Sequence, residues 1–381
     1  MKKQGNLFKR GSIMLLALLL AFSIAGCTSG GDTAASVAPS SAASVTPTAE
    51  ATVVPTSEAT IAVEIKASPE ASPTASPEVS ATPTVAPKAT AVVTASPKAT
   101  PAVIKASNQT IYPLKIKDGA GVELVFDKAP LRVTTIAASE TEAVFGIGAG
   151  DKVFGVDEYS NYPEAANAKP KVGDMNTDLE ALLATKPDVV FANTGLQKKV
   201  IDKLRALKIK VYATDPKTID QVMTKIENVG IIMNLQENAK KVTNTMRAEK
   251  KSVIDALKNA PKKKVYLEFD AGWTVGDGEF LSEMITLAGG VNAAAGTSGW
   301  FAIDPEAIIK ANPDVILYSD ISYGKESNYD IIVKRAGWDK ITAIKNKQVL
   351  ALKTDPLVRV GPRITKGLID MAKAVHPDLV K

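Results

Sequence analysis

At 381 residues, 45% of them apolar, the chain is long enough for more than one packed lobe, and its 46 basic and 41 acidic side chains leave a formal charge of +5. Four positive charges, Lys2, Lys3, Lys9 and Arg10, fall within the first ten residues, so the remainder carries about +1, a balance that offers nothing to nucleic acid. One cysteine and one histidine exclude an internal disulfide and a zinc or manganese site built from His and Cys.

The cationic start is followed by an almost wholly apolar run from Ile13 to Ile24 and by the small residues Ala25-Gly26 before Cys27, the layout of a secretory signal over residues 1–26. Its apolar stretch, roughly 12 to 16 residues, is short of the roughly 20 that a spanning helix needs. The string Ile24-Ala25-Gly26-Cys27 resembles the lipobox of bacterial lipoproteins. That resemblance implies cleavage before Cys27, a diacylglycerol on its thiol and a further acyl chain such as palmitate on its amine, together enough for stable anchoring. The expected location is the extracytoplasmic face of the cell membrane, and the lipidated Cys27 leaves no thiol for catalysis.

Residues 27–107 are rich in Ala, Ser, Thr, Pro and Val, with near-repeats such as Ala67-Ser-Pro-Glu70, Ala75-Ser-Pro-Glu78 and Ala95-Ser-Pro-Lys98 and, from Thr28 on, no aromatic residue. Such a segment buries too little apolar surface to offset its ordering entropy. It reads as a disordered tether with a root-mean-square span on the order of 50 Å.

From residue 108 the composition is globular. Tyr112 to Phe126, broken by Asp118-Gly-Ala-Gly121, reads as a hairpin. Short β-branched runs at Arg132–Ile136, Lys152–Val156, Asp188–Phe191 and Lys210–Tyr212 then alternate with amphipathic helical stretches, the α/β pattern, over a first lobe of residues 108–217. Gly146-Ile-Gly-Ala-Gly150 ends a helix instead of following a strand, so it is a C-cap and turn and not a phosphate loop. Residues 218–260 are polar and helix-favouring, interrupted at Asn234 and closed by Pro261, with Gln236 to Asn259 legible as one long helix. Residues 261–381 form a second lobe.

An internal repeat relates the lobes. Leu179-Glu-Ala-Leu-Leu-Ala-Thr-Lys-Pro-Asp-Val-Val-Phe191 recurs as Pro305-Glu-Ala-Ile-Ile-Lys-Ala-Asn-Pro-Asp-Val-Ile-Leu317, and Lys210-Val-Tyr-Ala-Thr-Asp-Pro216 is echoed by Gln348-Val-Leu-Ala-Leu-Lys-Thr-Asp-Pro356. The fold class expected is therefore two related α/β lobes joined by a single long α-helix, with little opening and closing between them.

From Pro130 to the C-terminus the chain resembles the substrate-binding lipoproteins of ABC importers for iron-siderophores, haem and cobalamin. The strings that carry the resemblance are Pro130-Leu-Arg-Val133, Ser139-Glu-Thr-Glu142, Gly148-Ala-Gly-Asp-Lys-Val153, Leu179-Glu180 with Lys186-Pro-Asp188, and Gly361-Pro-Arg363. Tyr159-Ser-Asn-Tyr-Pro163 is similar to the loop of cobalamin-binding members whose first tyrosine lies against the corrinoid. Trp273 and Trp300 stand where those members carry ligand-contacting aromatics, and Asp355 and Arg359 match an acid and an arginine at the cleft. One tryptophan of that group is replaced here by Asp174.

What the resemblance implies is capture of cobalamin or a related corrinoid by a monomer, with no resident cofactor or metal, and delivery to the importer's membrane subunits. Tyr159, Tyr162, Trp273, Trp300, Asp355 and Arg359 would bind the ligand; Glu180 and Glu306, at equivalent places in the repeat, would dock to arginines of the importer. The residues fit that chemistry, since a flat macrocycle with an amide rim asks for aromatic faces and hydrogen-bonding edges. Both tryptophans sit in Gly-flanked, aperiodic segments, whereas Trp338 reads as structural. Core packing for the aromatics, a helix-cap ion pair for Asp355 and Arg359, and ordinary first-turn acids at Glu180 and Glu306 are the plainer alternatives. A ferric siderophore is the competing cargo, and Arg359, Arg363 and the tryptophans would serve it too. Haem is disfavoured by the lone His376, read as part of a polar C-terminal tail. An enzyme is not expected: no Gly-x-Ser-x-Gly elbow, P-loop or serine–histidine pairing is present. A structural or adhesive lipoprotein is the third reading.

Overall fold

The computed structural model describes residues 109–321 and 324–381; the leader, Cys27 and the tether lie outside the described residues. Strands β1 (Leu114–Lys117) and β2 (Glu123–Phe126) pair as an antiparallel hairpin. Asp118 in its turn accepts from the N–H of Ala120 and of Val122, each at 2.9 Å. The same buried carboxylate pairs with Arg205, which ties the hairpin to the first lobe.

That lobe comprises β3 (Val133–Thr135), α1 (Ala138–Gly146), β4 (Val153–Val156), α2 (Leu179–Ala184), β5 (Val189–Asn193), α3 (Thr194–Ala206) and β6 (Val211–Thr214). Its sheet is parallel, in the order β4-β3-β5-β6. Every residue of β5 and β6 is buried, as a parallel sheet covered on both faces requires.

Helices α4 (Ile219–Ile232) and α5 (Gln236–Ala256) follow. Asn234 separates them in the left-handed region, at φ 58°. The chain folds back there, and a Cβ at Gly230 would lie 2.4 Å from that of Ala239, so glycine permits the close packing of the two helices. The segment expected to be a link is thus two helices of different roles. α4 belongs to the core beneath the first sheet, while α5, with 21 residues and about 31 Å at 1.5 Å per residue, lies against α1 and α4 on one side and the second lobe's last helix on the other.

The second lobe contains β7 (Lys263–Asp270), β8 (Trp273–Val275), α6 (Phe280–Leu287), β9 (Gly290–Asn292), β10 (Trp300–Ala302), α7 (Pro305–Ala311) and β11 (Val315–Ser319). It closes with α8 (Asn328–Lys334), α9 (Thr342–Lys345), β12 (Val349–Leu352), α10 (Thr354–Val358) and α11 (Ile364–Val375). Strands β9, β7, β11 and β12 are parallel, and β8 and β10 extend the cleft end of β7 as an antiparallel ribbon.

The internal repeat is visible bond by bond. Lys186 and Asn312, both at φ 48°, end α2 and α7 ahead of Pro187-Asp188 and Pro313-Asp314. Asp188 donates its N–H to the Arg132 carbonyl at 2.8 Å and accepts the Arg132 N–H at 2.9 Å. Asp314 does the same with Lys264, at 2.9 and 2.8 Å. A short helix, a left-handed residue, a proline and an aspartate that clips the neighbouring strand therefore make one cassette used twice.

A single apolar cluster runs from Val133, Val144 and Phe191 through Met223, Val229 and Met246 to Leu267, Val315 and Leu368. The two lobes share this core, so hinge opening would expose apolar surface at about 25 cal/mol per Å². Trp338 is fully buried, edge-on to Tyr266 at 5.6 Å, and structural.

His376, expected in a polar tail, is instead 4% exposed, with Nε2 at 3.4 Å from the Gly289 carbonyl oxygen. Burial lowers its pKa from the usual 6.5; the Gly289 contact opposes this, while Lys263 and Lys262 add to it. Because the folded state resists protonation, the unfolded state takes up the proton first. This contribution to stability is complete above pH 6.5 and lost as pH falls through the interval between 6.5 and the lowered folded value. Denaturant midpoints measured through that interval should fall for the native chain and fall less for His376→Gln; parallel curves would show that His376 contributes nothing.

Candidate functional site

In open parallel sheets ligands gather outside the carboxyl ends of the strands. Here those ends face each other across the two lobes: the turn after β3 meets the α10–α11 junction after β12, and the segment after β6 meets the start of α6. Gly361 lies against α1, where a Cβ would come within 3.1 Å of the Ser139 carbonyl oxygen.

The centre of the contact is Glu142 on α1, 1% exposed at its side chain. Its carboxylate accepts from Arg363 Nε at 2.9 Å and Nη2 at 2.6 Å, and from Arg359 Nη1 at 3.1 Å. Burial works against the Arg363 charge, but Glu142, Asp355 and Tyr162 outweigh it and raise its pKa. Arg359 also donates to Asn161 Oδ1 at 2.8 Å and to the Tyr159 carbonyl at 3.1 Å, and pairs with Asp355 at 2.8 Å. A parallel tie runs from Glu140 to Lys225 at 2.8 Å, both side chains 1% exposed, with Lys225 also donating to the Val360 carbonyl at 2.7 Å.

These bonds fix the loop after β4. Ser160 Oγ is shared with Thr141 at 2.6 Å and donates to Asp157, and Lys171 donates to the carbonyls of Asp157 and Ser160 at 3.1 and 2.9 Å. Burial raises the Asp157 pKa, opposed by Ser160, the Tyr159 N–H, Lys171 and Arg359. With its interior bonded, the loop presents Tyr159 and Tyr162 outward, 57% and 46% exposed. The Arg363 guanidinium lies 4.0 Å from the Tyr162 ring centre and so covers one face of it.

On the second lobe Trp300 pairs with Val275 and Ala302 with Trp273 in the β8–β10 ribbon. Cross-strand partners share a face, as do residues two apart, so both indoles project from the same face as diagonal neighbours, a separation of roughly 7 to 8 Å between backbones. Trp273 is 49% and Trp300 38% exposed. Trp300 is held edge-on by Phe269 at 5.5 Å, with Phe280 tilted against it at 6.3 Å. The turn before Trp273 is set by buried Glu268, which accepts the Gly272 N–H at 3.0 Å and is held by Arg335 at 2.8 and 2.7 Å. Gly276 allows the ribbon to close, since a Cβ there would lie 1.8 Å from the Thr297 carbonyl oxygen.

The structure thus joins Tyr159, Tyr162, Asp355 and Arg359 in one bonded group and sets Trp273 and Trp300 together on another element. No hydrogen bond or ring contact links the two groups among the described residues. The donors of Arg359 expected at a ligand's rim are turned to Glu142, Asn161 and the Tyr159 carbonyl. Asp174, in the place of a tryptophan, accepts the Asn176 N–H at 2.7 Å within the turn before α2. Glu180 and Glu306 are exposed in the first turns of α2 and α7, where Asp178 and Asp304 accept the N–H of each at 2.9 Å, and neither carboxylate makes an ion pair among the described residues.

Sequence reasoning quoted Glu142 only within a string and missed its part in the site; the one available signal was a second acid two residues after Glu140 on a helix whose neighbours are apolar or small.

The chain belongs to the periplasmic binding protein family, whose model matches residues 133–356. It is 30% identical over 288 residues to an uncharacterized ABC transporter substrate-binding lipoprotein of Bacillus subtilis, YvrC, covering 73% of this chain and 90% of that one. A cobalamin-binding protein of Halobacterium salinarum is 26% identical over 275 residues, 70% of this chain and 74% of its own. Among solved structures, the apo form of the periplasmic heme-binding protein RhuT from Roseiflexus is similar with a TM-score of 0.60 and 26% identity, covering 65% of this chain and 98% of that one. The protein is therefore the substrate-binding component of an ABC importer and not an enzyme.

Removing the Glu142 carboxylate takes the shared buried partner from two guanidinium groups and leaves them Asp355, so the loss should approach the lower end of the roughly 3 to 5 kcal/mol of a broken buried pair. Glu142→Ala should lower the denaturant midpoint accordingly with an unchanged slope, whereas a shift below about 1 kcal/mol would show that the clasp carries little of the stability.

Proposed function

We propose that the cargo is cobalamin or another corrinoid, held between the exposed tyrosines and the tryptophan pair. The observation that carries this reading is the placing of Trp273 and Trp300 on one face of the β8–β10 ribbon, open toward a flat ligand, while Arg359 and Arg363 are committed to Glu142. Covering the open part of each indole removes on the order of 100 Å² of apolar surface, about 2.5 kcal/mol at 25 cal/mol per Å². An anionic cargo gains less, because binding it would mean taking an arginine from a buried carboxylate. The cobalamin-binding relative supports the same reading.

A second reading is a ferric siderophore or haem, supported by the heme-binding structure and by the exposed phenol of Tyr159. Histidine ligation is disfavoured, because His376 is buried against Gly289. Titration of the protein with cobalamin, cobinamide, haem and ferric siderophores, followed by tryptophan quenching, separates the two. Saturation at one corrinoid per chain is expected; saturation by a siderophore or haem with no corrinoid response overturns the assignment.

In this reading lipidated Cys27 and the tether keep the carrier on the extracytoplasmic face of the membrane at high effective concentration beside its importer. Glu180 and Glu306, equivalent in the two cassettes and both without an ion pair among the described residues, would dock to cationic side chains of the membrane subunits. As first-turn acids they are worth only roughly 0.3 to 1 kcal/mol to their own helices. Glu180→Ala with Glu306→Ala should keep ligand affinity and abolish uptake in cells; normal uptake by the double variant would remove the docking role.

A further inference from the structure

In the first sheet Phe191 is the register partner of Tyr212, and Asn193 that of Thr214. Alternation puts all four on one face. Phe191 and Tyr212 meet edge to face at 6.0 Å and seal the core. One step nearer the cleft, Asn193 and Thr214 are 5% and 8% exposed, and neither Asn193 Oδ1 nor Thr214 Oγ1 has a hydrogen-bond partner among the described residues. Asparagine is a favoured helix cap, yet the Asn193 side chain makes no capping bond to α3.

Buried polar atoms of Arg205, Gln236, Asn328 and Trp338 also lack partners among the described residues, but Asn193 and Thr214 are register partners and so stand side by side. On the same side of the sheet, the polar groups beneath the tyrosine loop satisfy one another, through Thr135 to Thr141 at 2.6 Å and Thr141 to Ser160 at 2.6 Å. Unpartnered buried polar atoms are destabilising, so two adjacent ones are kept against a steady penalty unless something else bonds them.

The surroundings define that partner. The Asp215 carboxylate lies against Gly195, with oxygens 2.9 and 3.0 Å from the position of a Cβ there. It shares Lys217 with Glu279, at 3.2 and 3.0 Å. Burial works against the Lys217 charge, but the two acids hold its pKa above the ordinary value, so one cation already serves two anions. A carboxylate arriving here meets net negative charge, which a neutral group does not. A primary amide offers an N–H to Asn193 Oδ1 and a carbonyl to the Thr214 hydroxyl while carrying no charge.

We infer that Asn193 and Thr214 form a subsite at the cleft end of β5 and β6 that receives a neutral primary-amide arm of the cargo. The inference rests on the corrinoid reading, whose ligand is rimmed with such amides, and adds two residues that read the rim.

The test uses the full chain with Asn193→Leu and Thr214→Val, titrated with cobinamide and with cobyrinic acid, in which carboxylates replace the rim amides. Apolar replacement of unpartnered groups leaves the thermal midpoint unchanged or raises it, which checks folding. Each variant should weaken cobinamide binding roughly tenfold, the scale of one hydrogen bond, and leave cobyrinic acid unchanged. Cobinamide affinity unchanged in both variants overturns the subsite. If the native chain binds no corrinoid, the cargo reading has failed, and acetamide decides the subsite alone. The side-chain amide resonance that disappears in Asn193→Leu should then shift saturably with acetamide and not with acetate. No shift, or an equal shift with acetate, overturns the inference.

Discussion

One buried negative charge governs the geometry of the cleft. Glu142 is withdrawn from water, and an ionised carboxylate in that position persists only where cations and donors surround it. The cations come from 217 and 221 residues further along the chain. Satisfying Glu142 therefore forces α1 of the first lobe against the α10–α11 junction of the second. Arginine suits the task because its planar fork serves several acceptors at once. Arg359 reaches Glu142, Asp355, Asn161 and a loop carbonyl, and Arg363 grips Glu142 while lying over Tyr162.

From that clasp follow the bonded placement of the tyrosine loop and a direct tie between the lobes. The tyrosine loop is bonded from below through Ser160 and Lys171 and from across the cleft through Arg359. The shared apolar core and the Lys217–Glu279 bridge close the other side. A cleft tied in this way would need little binding energy to order it. The second wall is made differently. Its tryptophans stand on a short antiparallel ribbon, set by a bulge between Glu268 and Asp270 and by the close approach at Gly276.

What could be read along the chain was what local chemistry writes. The cassette ending in Lys186-Pro-Asp188 and Asn312-Pro-Asp314 was legible because its left-handed residue, proline and strand-clipping aspartate are adjacent in sequence. Trp273 and Trp300 stood out because glycines flank them, and those glycines are what the ribbon's turns require. The break at Asn234 was legible for the same reason, although the separate roles of α4 and α5 were not, since both are amphipathic. His376 misled, because its position near the end of the chain suggests an exposed tail, while its burial depends on Gly289, 87 residues earlier.

By itself the sequence determined the class of fold, two related α/β lobes with a helical link, because periodicity, turn residues and repetition are properties of neighbouring residues. It also singled out Tyr159, Tyr162, Trp273 and Trp300, which the fold leaves exposed. Only the tertiary structure decided how the charges are spent. Arg359 is equally a ligand contact or a clasp when read in sequence, and the choice belongs to Glu142, whose distance along the chain says nothing of its distance in space. The same holds for Asn193 and Thr214, ordinary polar residues at strand ends until the register sets them side by side, buried and with Oδ1 and Oγ1 unbonded among the described residues. Charge pairing and burial are fixed by which segments meet, and that is settled only when the chain has folded.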